Sequence, residues 1–135
     1  MTQEEKALVI YRIERSRETF DEARLLFDAG YLNTCVNRLY YACFYAVSAL
    51  LMTRKISTSK HQHLRSLLHR DYVKEGLVPI DFGKHFDILF DSRQEGDYVD
   101  FVTFRAEEIE PWFERTKQFI EYIDHLIQKA INQPG

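Results

Sequence analysis

The sequence predicts an all-α protein, an up-and-down bundle of four or five helices forming one domain over residues 1–135. Three observations carry that prediction. Apolar residues recur three and four apart along nearly the whole chain, the spacing of one helix face. Prolines stand only at 79, 111 and 134 and glycines only at 30, 76, 83, 96 and 135, so they punctuate segments rather than fill them. Runs of β-branched residues with a period of two are missing.

A first helix is predicted from Glu4 to Ala29. Its apolar stripe starts at Ala7, Ile10, Tyr11 and Ile13 and continues through Phe20, Ala23, Leu26 and Phe27. Arg12, Glu14, Arg15, Glu18 and Glu22 take the wet side, and Gly30 ends the helix. A second helix is predicted from Tyr31 to Met52. Tyr41, Tyr45 and Ala49, together with Tyr40, Phe44 and Val47, merge into one broad buried face. Ala42 and Ala46, four apart, let another helix approach closely.

Lys55 to Ser59 reads as a polar loop in which Ser57, Thr58 or Ser59 caps a third helix, Lys60 to Lys74. Leu64, Leu67 and Leu68 form its inner edge, with Tyr72 on the flank. A shorter fourth helix is expected from Asp81 to Ser92 on the stripe Phe82, Phe86, Leu89 and Phe90, followed by a loop from Gln94 to Asp100. A long fifth helix is expected from Thr103 to Asn132, with Pro111 requiring a kink or a start near Ile109.

At 135 residues, the chain is long enough for one real core. It is 45% hydrophobic and 29% charged, the composition of an ordinary globular protein. No apolar run is read as approaching the ~20 residues that span a bilayer, so no membrane partner is expected. The first residues lack the basic and apolar regions of a signal peptide, and the expected location is the cytoplasm. The net charge of −3 argues against wholesale coating of nucleic acid, though a local basic cleft stays open. Cys35 and Cys43 lie eight apart on one predicted helix, roughly 12 Å along its axis, too far for a disulfide. They read as packing residues, and no metal or other cofactor is expected.

Arg38-Leu39-Tyr40-Tyr41-Ala42, Ser59-Lys60-His61, Leu89-Phe90-x-x-Arg93 and Asp97-Tyr98, in that order, resemble the HEPN (higher eukaryotes and prokaryotes nucleotide-binding) domain family. The resemblance covers the chain from about Glu4 to Ile131. It implies a four- or five-helix bundle that forms a two-fold homodimer. It also implies an association with nucleotide or RNA. Many relatives are encoded beside a minimal nucleotidyltransferase as toxin–antitoxin pairs. Many others are metal-independent endoribonucleases with a motif of Arg, four to six residues, then His. In those, the imidazole acts on the RNA 2′-hydroxyl and the arginine holds the phosphate.

The corresponding segment here is Arg93-Gln94-Glu95-Gly96-Asp97-Tyr98, with Asp97 near where that histidine would stand. Imidazole titrates near neutrality and can act as both base and acid, whereas a carboxylate with a pKa near ~4 holds a proton poorly at pH 7 and repels phosphate. The expectation is therefore a partner module for a minimal nucleotidyltransferase, with an endoribonuclease carrying a degenerate motif as the alternative.

Arg93 and Asp97, four apart, read either as an exposed ion pair or as a phosphate-binding arginine oriented by a carboxylate. They are the candidate catalytic pair. Tyr98 reads as a packing residue, a stacking surface or, by the resemblance, a hydroxyl that accepts a nucleotidyl group. Arg38, Arg93, Tyr98, Lys60 and His61 are the candidate nucleotide- or phosphate-binding residues. Arg38, on an apolar helix, needs a partner, with Asp21, Glu22 and the Arg93–Asp97 region as candidates. The hydroxyls of Tyr40 and Tyr41 are expected near such a cleft.

Lys60, His61, His63, Arg65, His69, Arg70 and Lys74 make the third helix the basic element of the chain, read either as a solvated face or as a phosphate contact. A metal site there is disfavoured because His61 and His69 lack a carboxylate on their face. The Arg54-to-His61 spacing, though it fits the letter of the ribonuclease motif, reads as coincidence. His85 and His125 read as partly buried or surface residues.

Overall fold

The computed structural model describes residues 1–133 and contains five α-helices. They are α1 (Gln3–Asp28), α2 (Leu32–Met52), α3 (His61–Leu68), α4 (Ile80–Tyr98) and α5 (Ala106–Ile131); among the described residues there is no strand. Helix α2 is the central element, with α1, α4 and α5 packed around it.

Helix α1 opens on a capping box: Thr2 Oγ1 accepts from Glu5 N and Glu5 Oε1 accepts from Thr2 N. Its buried row is Val9, Ile13, Ser16, Thr19 and Ala23, whereas Ala7, Ile10 and Tyr11 face solvent. The expected stripe was displaced because small and hydroxyl side chains, not large apolar ones, face α2. Ser16 Oγ donates to the carbonyl oxygen of Ala42 at 2.6 Å, and Thr19 Oγ1 donates to that of Arg15 at 2.7 Å. Satisfied hydroxyls of this kind can be buried at little cost, and they let α1 lie close against the alanines of α2. Gly30, at φ 85°, turns the chain into α2, with Tyr31 N donating back to Leu26 O at 2.9 Å.

Helix α2 is buried along most of its length. With Arg38 as its one charged residue, it is long and apolar enough to cross a membrane by length and composition, contrary to the expectation for the apolar runs; its window is mostly buried inside the bundle. Cys35 and Cys43 are buried free thiols, and burial pushes the Cys35 thiol up to about 12.

Helix α3 is capped differently from the expectation. Lys60 is its N-cap residue, and Thr58 Oγ1 instead accepts from Lys60 N at 3.2 Å. After Leu68 the helix widens into one π-helical turn, His69–Val73, with Lys74 N donating to His69 O at 2.8 Å. Tyr72, within this turn, is buried rather than on the flank, continuing the row of Leu64 and Leu68.

Helix α4 runs six residues further than predicted, to Tyr98, so the expected loop from Gln94 is helix. Gly96, read as a breaker, is tolerated because the Phe104 ring lies against it: a Cβ there would come within 2.9 Å of that ring. The connection to α5 is latched by Asn33, whose Nδ2 donates to Val102 O at 2.9 Å and to Gly96 O at 3.4 Å. Helix α5 begins at Ala106, beyond the predicted Thr103, and carries Pro111 within its second turn. Glu108 Oε1 accepts from Arg105 N at that start. The row Ile109, Phe113, Thr116, Ile120, Ile123 and Ile127 faces the core.

Candidate functional site

The polar centre of the molecule lies where the last turns of α4 meet α2. Arg93 is brought there by the α4 stripe that buries Phe86, Leu89 and Phe90, and its side chain is only about 10% exposed. It sits among three tyrosine rings, with Cζ 5.6 Å from the centroid of Tyr40, 5.3 Å from Tyr41 and 5.2 Å from Tyr98. Arg93 Nη2 donates to Tyr41 Oη at 2.9 Å and to Tyr98 Oη at 3.3 Å. Nε lies 3.1 Å from Asp97 Oδ2, close enough for an ion pair but without the alignment of a hydrogen bond.

Asp97 is held in turn by Asn37, whose Nδ2 donates to its Oδ2 at 2.8 Å. Asn37 Oδ1 accepts from Arg38 Nε and Nη2 at 3.0 and 2.8 Å. Arg38 reaches Glu22 at 3.8 Å and lies 5.1 Å from the Tyr41 ring centroid. A continuous polar chain therefore runs from Glu22 through Arg38, Asn37 and Asp97 to Arg93 and its two phenols. The helical extension of α4 is what makes it possible, because it puts Arg93 and Asp97 one turn apart.

His61 enters the same cluster from the first turn of α3. Its Nδ1 pairs with Tyr40 Oη at 2.7 Å, and its ring lies 4.6 Å from Phe44 and 5.7 Å from both Tyr40 and Tyr41. Burial and then the positive charge of Arg93 hold its pKa below the usual value, so the imidazole is neutral at neutral pH. Burial likewise pushes the Tyr40 phenol up and keeps it protonated. A neutral imidazole, a protonated phenol and a guanidinium thus share one knot of rings.

The structure therefore brings together Arg38, Arg93, Asp97, Tyr98 and His61. Lys60, one residue away, is exposed and joins no ion pair among the described residues. Arg54 does not approach this knot; its guanidinium lies over Tyr72. The basic face of α3 is answered by α4: His69 Nε2 meets Asp87 Oδ1 at 2.9 Å, and Arg65 lies 4.0 Å from Asp87 and 3.8 Å from Asp91. The missing carboxylate near His69 thus comes from another helix. Among the described residues, no group of three or more His, Cys, Asp or Glu side chains is arranged to hold a metal ion.

Asn37 is the site residue that sequence reasoning missed. A signal was present: Asn33, Asn37 and Tyr41, each four apart, form a polar strip on an otherwise apolar helix. That strip lies against α4 and the connection that follows it.

Tyr98 roofs the site. It is 71% exposed on the last turn of α4, and Val99 and Phe101 beside it are also exposed. Phe101 is fully exposed on a backbone with φ 64°, a strained conformation for an aromatic residue.

This all-helical bundle carries its polar site between α4 and α2, and the chain belongs to the HEPN domain family, whose model matches residues 9–126. A UPF0332 protein of Thermotoga maritima is 38% identical over 95% of this chain and 96% of its own length. Two proteins of Methanocaldococcus jannaschii that bear the name "Putative toxin" are more distant. One is 26% identical over 88% of this chain and 82% of its own length; the other is 27% identical over 88% of each.

Proposed function

We propose that this HEPN protein is the toxin-type half of a pair with a minimal nucleotidyltransferase, and that the Tyr98 hydroxyl is the group on which the partner acts. The observation that carries this reading is the position of Tyr98: exposed at a helix end, with its hydroxyl 3.3 Å from a charged guanidinium. In the reaction, the phenol oxygen bonds to the α-phosphorus of a nucleoside triphosphate bound by the partner. The bond to pyrophosphate breaks, and the phenol proton passes to a base. Arg93 favours such a step by stabilising negative charge as it develops on the phenol oxygen and the phosphoryl group. Exposed Val99 and Phe101 offer an apolar surface beside the acceptor. The names of the archaeal relatives agree with the toxin half of the reading.

The test is label transfer. The protein is incubated with magnesium, labelled ATP and the nucleotidyltransferase encoded nearest its gene. One nucleotidyl group per chain is expected on wild type and none on Tyr98→Phe. Equal labelling of that variant refutes the assignment.

A second reading, a metal-independent endoribonuclease, is favoured by one observation: His61, neutral at neutral pH, shares the ring cluster of Arg93. It supplies the acid–base group that Asp97 does not. This reading expects RNA cleavage in EDTA that is lost in His61→Gln. Cleavage at wild-type rate in that variant removes it.

A further inference from the structure

At the other end of the bundle, about twelve residues along α2 from Tyr41 and so roughly 18 Å away, a cleft of about 560 Å³ opens between the start of α1, the end of α2, the π-helical turn and the end of α5. Three cations line it, Lys6, Arg54 and Lys129, and among the described residues its lining contains no Asp or Glu. None of the three takes part in an ion pair among the described residues. Asp71, beside Tyr72 but outside the lining, offsets part of the Arg54 charge; the like charges that remain repel, so the arrangement is more stable with an anion between them.

A second, independent observation points the same way. Tyr72 lines the cleft and is 97% buried, from a relative exposure of 3%, yet its hydroxyl has no hydrogen-bond partner. Thr53, the nearby hydroxyl, donates its own proton to Leu50 O at 2.6 Å and acts on the phenol at close range, but without the alignment of a hydrogen bond. A buried orphan phenol costs free energy. It stands within the π-helical turn, a distortion that recurs at functional sites. Burial pushes its pKa up, so it is a proton donor and not an anion. The Arg54 guanidinium covers the ring, 4.3 Å from its centroid.

We infer that this cleft is a binding site, separate from the Arg93 site, for a small organic phosphate. The phosphate is held by Lys6, Arg54 and Lys129 and by the Tyr72 hydroxyl, with the organic part against Leu50 and Leu126. As the guanidinium turns from the ring to the phosphate, it uncovers the phenol, which then donates to a phosphate oxygen. Three cations match a doubly charged phosphate better than a singly charged carboxylate. The volume, in the range of ligand pockets, exceeds what inorganic phosphate alone would fill.

The experiment is calorimetric titration of the full chain with phenyl phosphate, inorganic phosphate and benzoate. Saturable binding is expected for phenyl phosphate, with weaker binding of the other two. Arg54→Gln should abolish it. Tyr72→Phe should weaken it by about tenfold, the loss of one hydrogen bond to an anion, while leaving the melting temperature of the unliganded protein unchanged or raised. That combination separates a ligand-binding phenol from a structural one. Tyr98→Phe should bind as wild type does. No saturable binding to wild type, full binding by Arg54→Gln, or a Tyr72→Phe variant that is destabilised and binds normally overturns the inference. Loss of binding in Tyr98→Phe places the phosphate at the other site and overturns it equally.

Discussion

Arg93 organises its surroundings more than it reaches outward. Its charge is answered by Asp97, its donors by two phenols, and its faces by aromatic rings. Removing one partner leaves a largely buried charge unanswered, which is the costly case for an ion pair. Asp97→Asn is therefore expected to lower stability by on the order of 2 kcal/mol, read as a lower urea midpoint with an unchanged slope. The residues of this knot were only partly legible. Arg38, Arg93, Asp97, Tyr98 and His61 stood out because charged or hydroxyl-bearing side chains on apolar stripes need partners. Asn37 did not, since a neutral amide demands a partner less strongly than the charged Arg38 beside it. Nor could His61 be tied to Arg93, because their approach depends on how α3 packs after the connection from Thr53 to Lys60. Lys60 stands out by its charge and by its place in Ser59-Lys60-His61, and neither fixes a side chain that projects into water.

The helices that carry the site are held in register by small local devices. Asn33 latches the α4–α5 connection through two backbone carbonyls, and the Phe104 ring fills the space over Gly96. Asn33→Leu should leave α1, α2 and α5 intact and free the segment 96–104. Hydrogen exchange is expected to quicken there and nowhere else, at a cost of about 1 kcal/mol per lost bond. The existence and order of the helices were readable from apolar spacing, because α2, α4 and α5 bury large apolar side chains at that spacing. Three features were not. The contact face of α1 keeps Ile13 and Ala23 of the expected stripe but is shifted at Ser16 and Thr19, because hydroxyl side chains that bond inward leave no apolar signal. The end of α4 was placed too early because Gly96 counts as a breaker unless the ring that occupies its missing Cβ is known. The π-helical turn leaves the spacing Leu64, Leu68, Tyr72 looking like an ordinary helix.

At the scale of the whole molecule, one buried histidine ties stability to pH. His85 is 3% exposed, with Nε2 paired to Thr116 Oγ1 at 2.9 Å and Nδ1 unpaired. Burial, helped by the charge of Arg115, lowers its pKa to about 4. Below the unfolded value near ~6.5 the unfolded chain takes up a proton that the folded chain refuses. Stability is therefore full above that pH and declines as the pH falls toward about 4, by roughly 3 kcal/mol in total. His85→Gln, which keeps a polar contact for Thr116 and does not titrate, should flatten this limb in melting temperature measured from pH 7 to pH 4. The bundle also bears on assembly. We propose the two-fold homodimer that the family suggests, so sedimentation should give twice the mass of the chain.

The central claim is that the Arg93 knot exists to present Tyr98 to a nucleotidyltransferase, and is not merely a fold support. Arg93→Lys separates the two roles, because arginine faces Asp97 with Nε and both phenols with Nη2, whereas lysine keeps the charge on a single nitrogen that cannot occupy both places. The measurement is nucleotidyl transfer to Tyr98 by intact mass and peptide mapping, beside the melting temperature of the same sample. A folded variant is expected, melting within a few degrees of wild type, whose Tyr98 stays unmodified under conditions that modify wild type fully. Full modification of Tyr98 in that variant, or modification of wild type at any other residue, would contradict it.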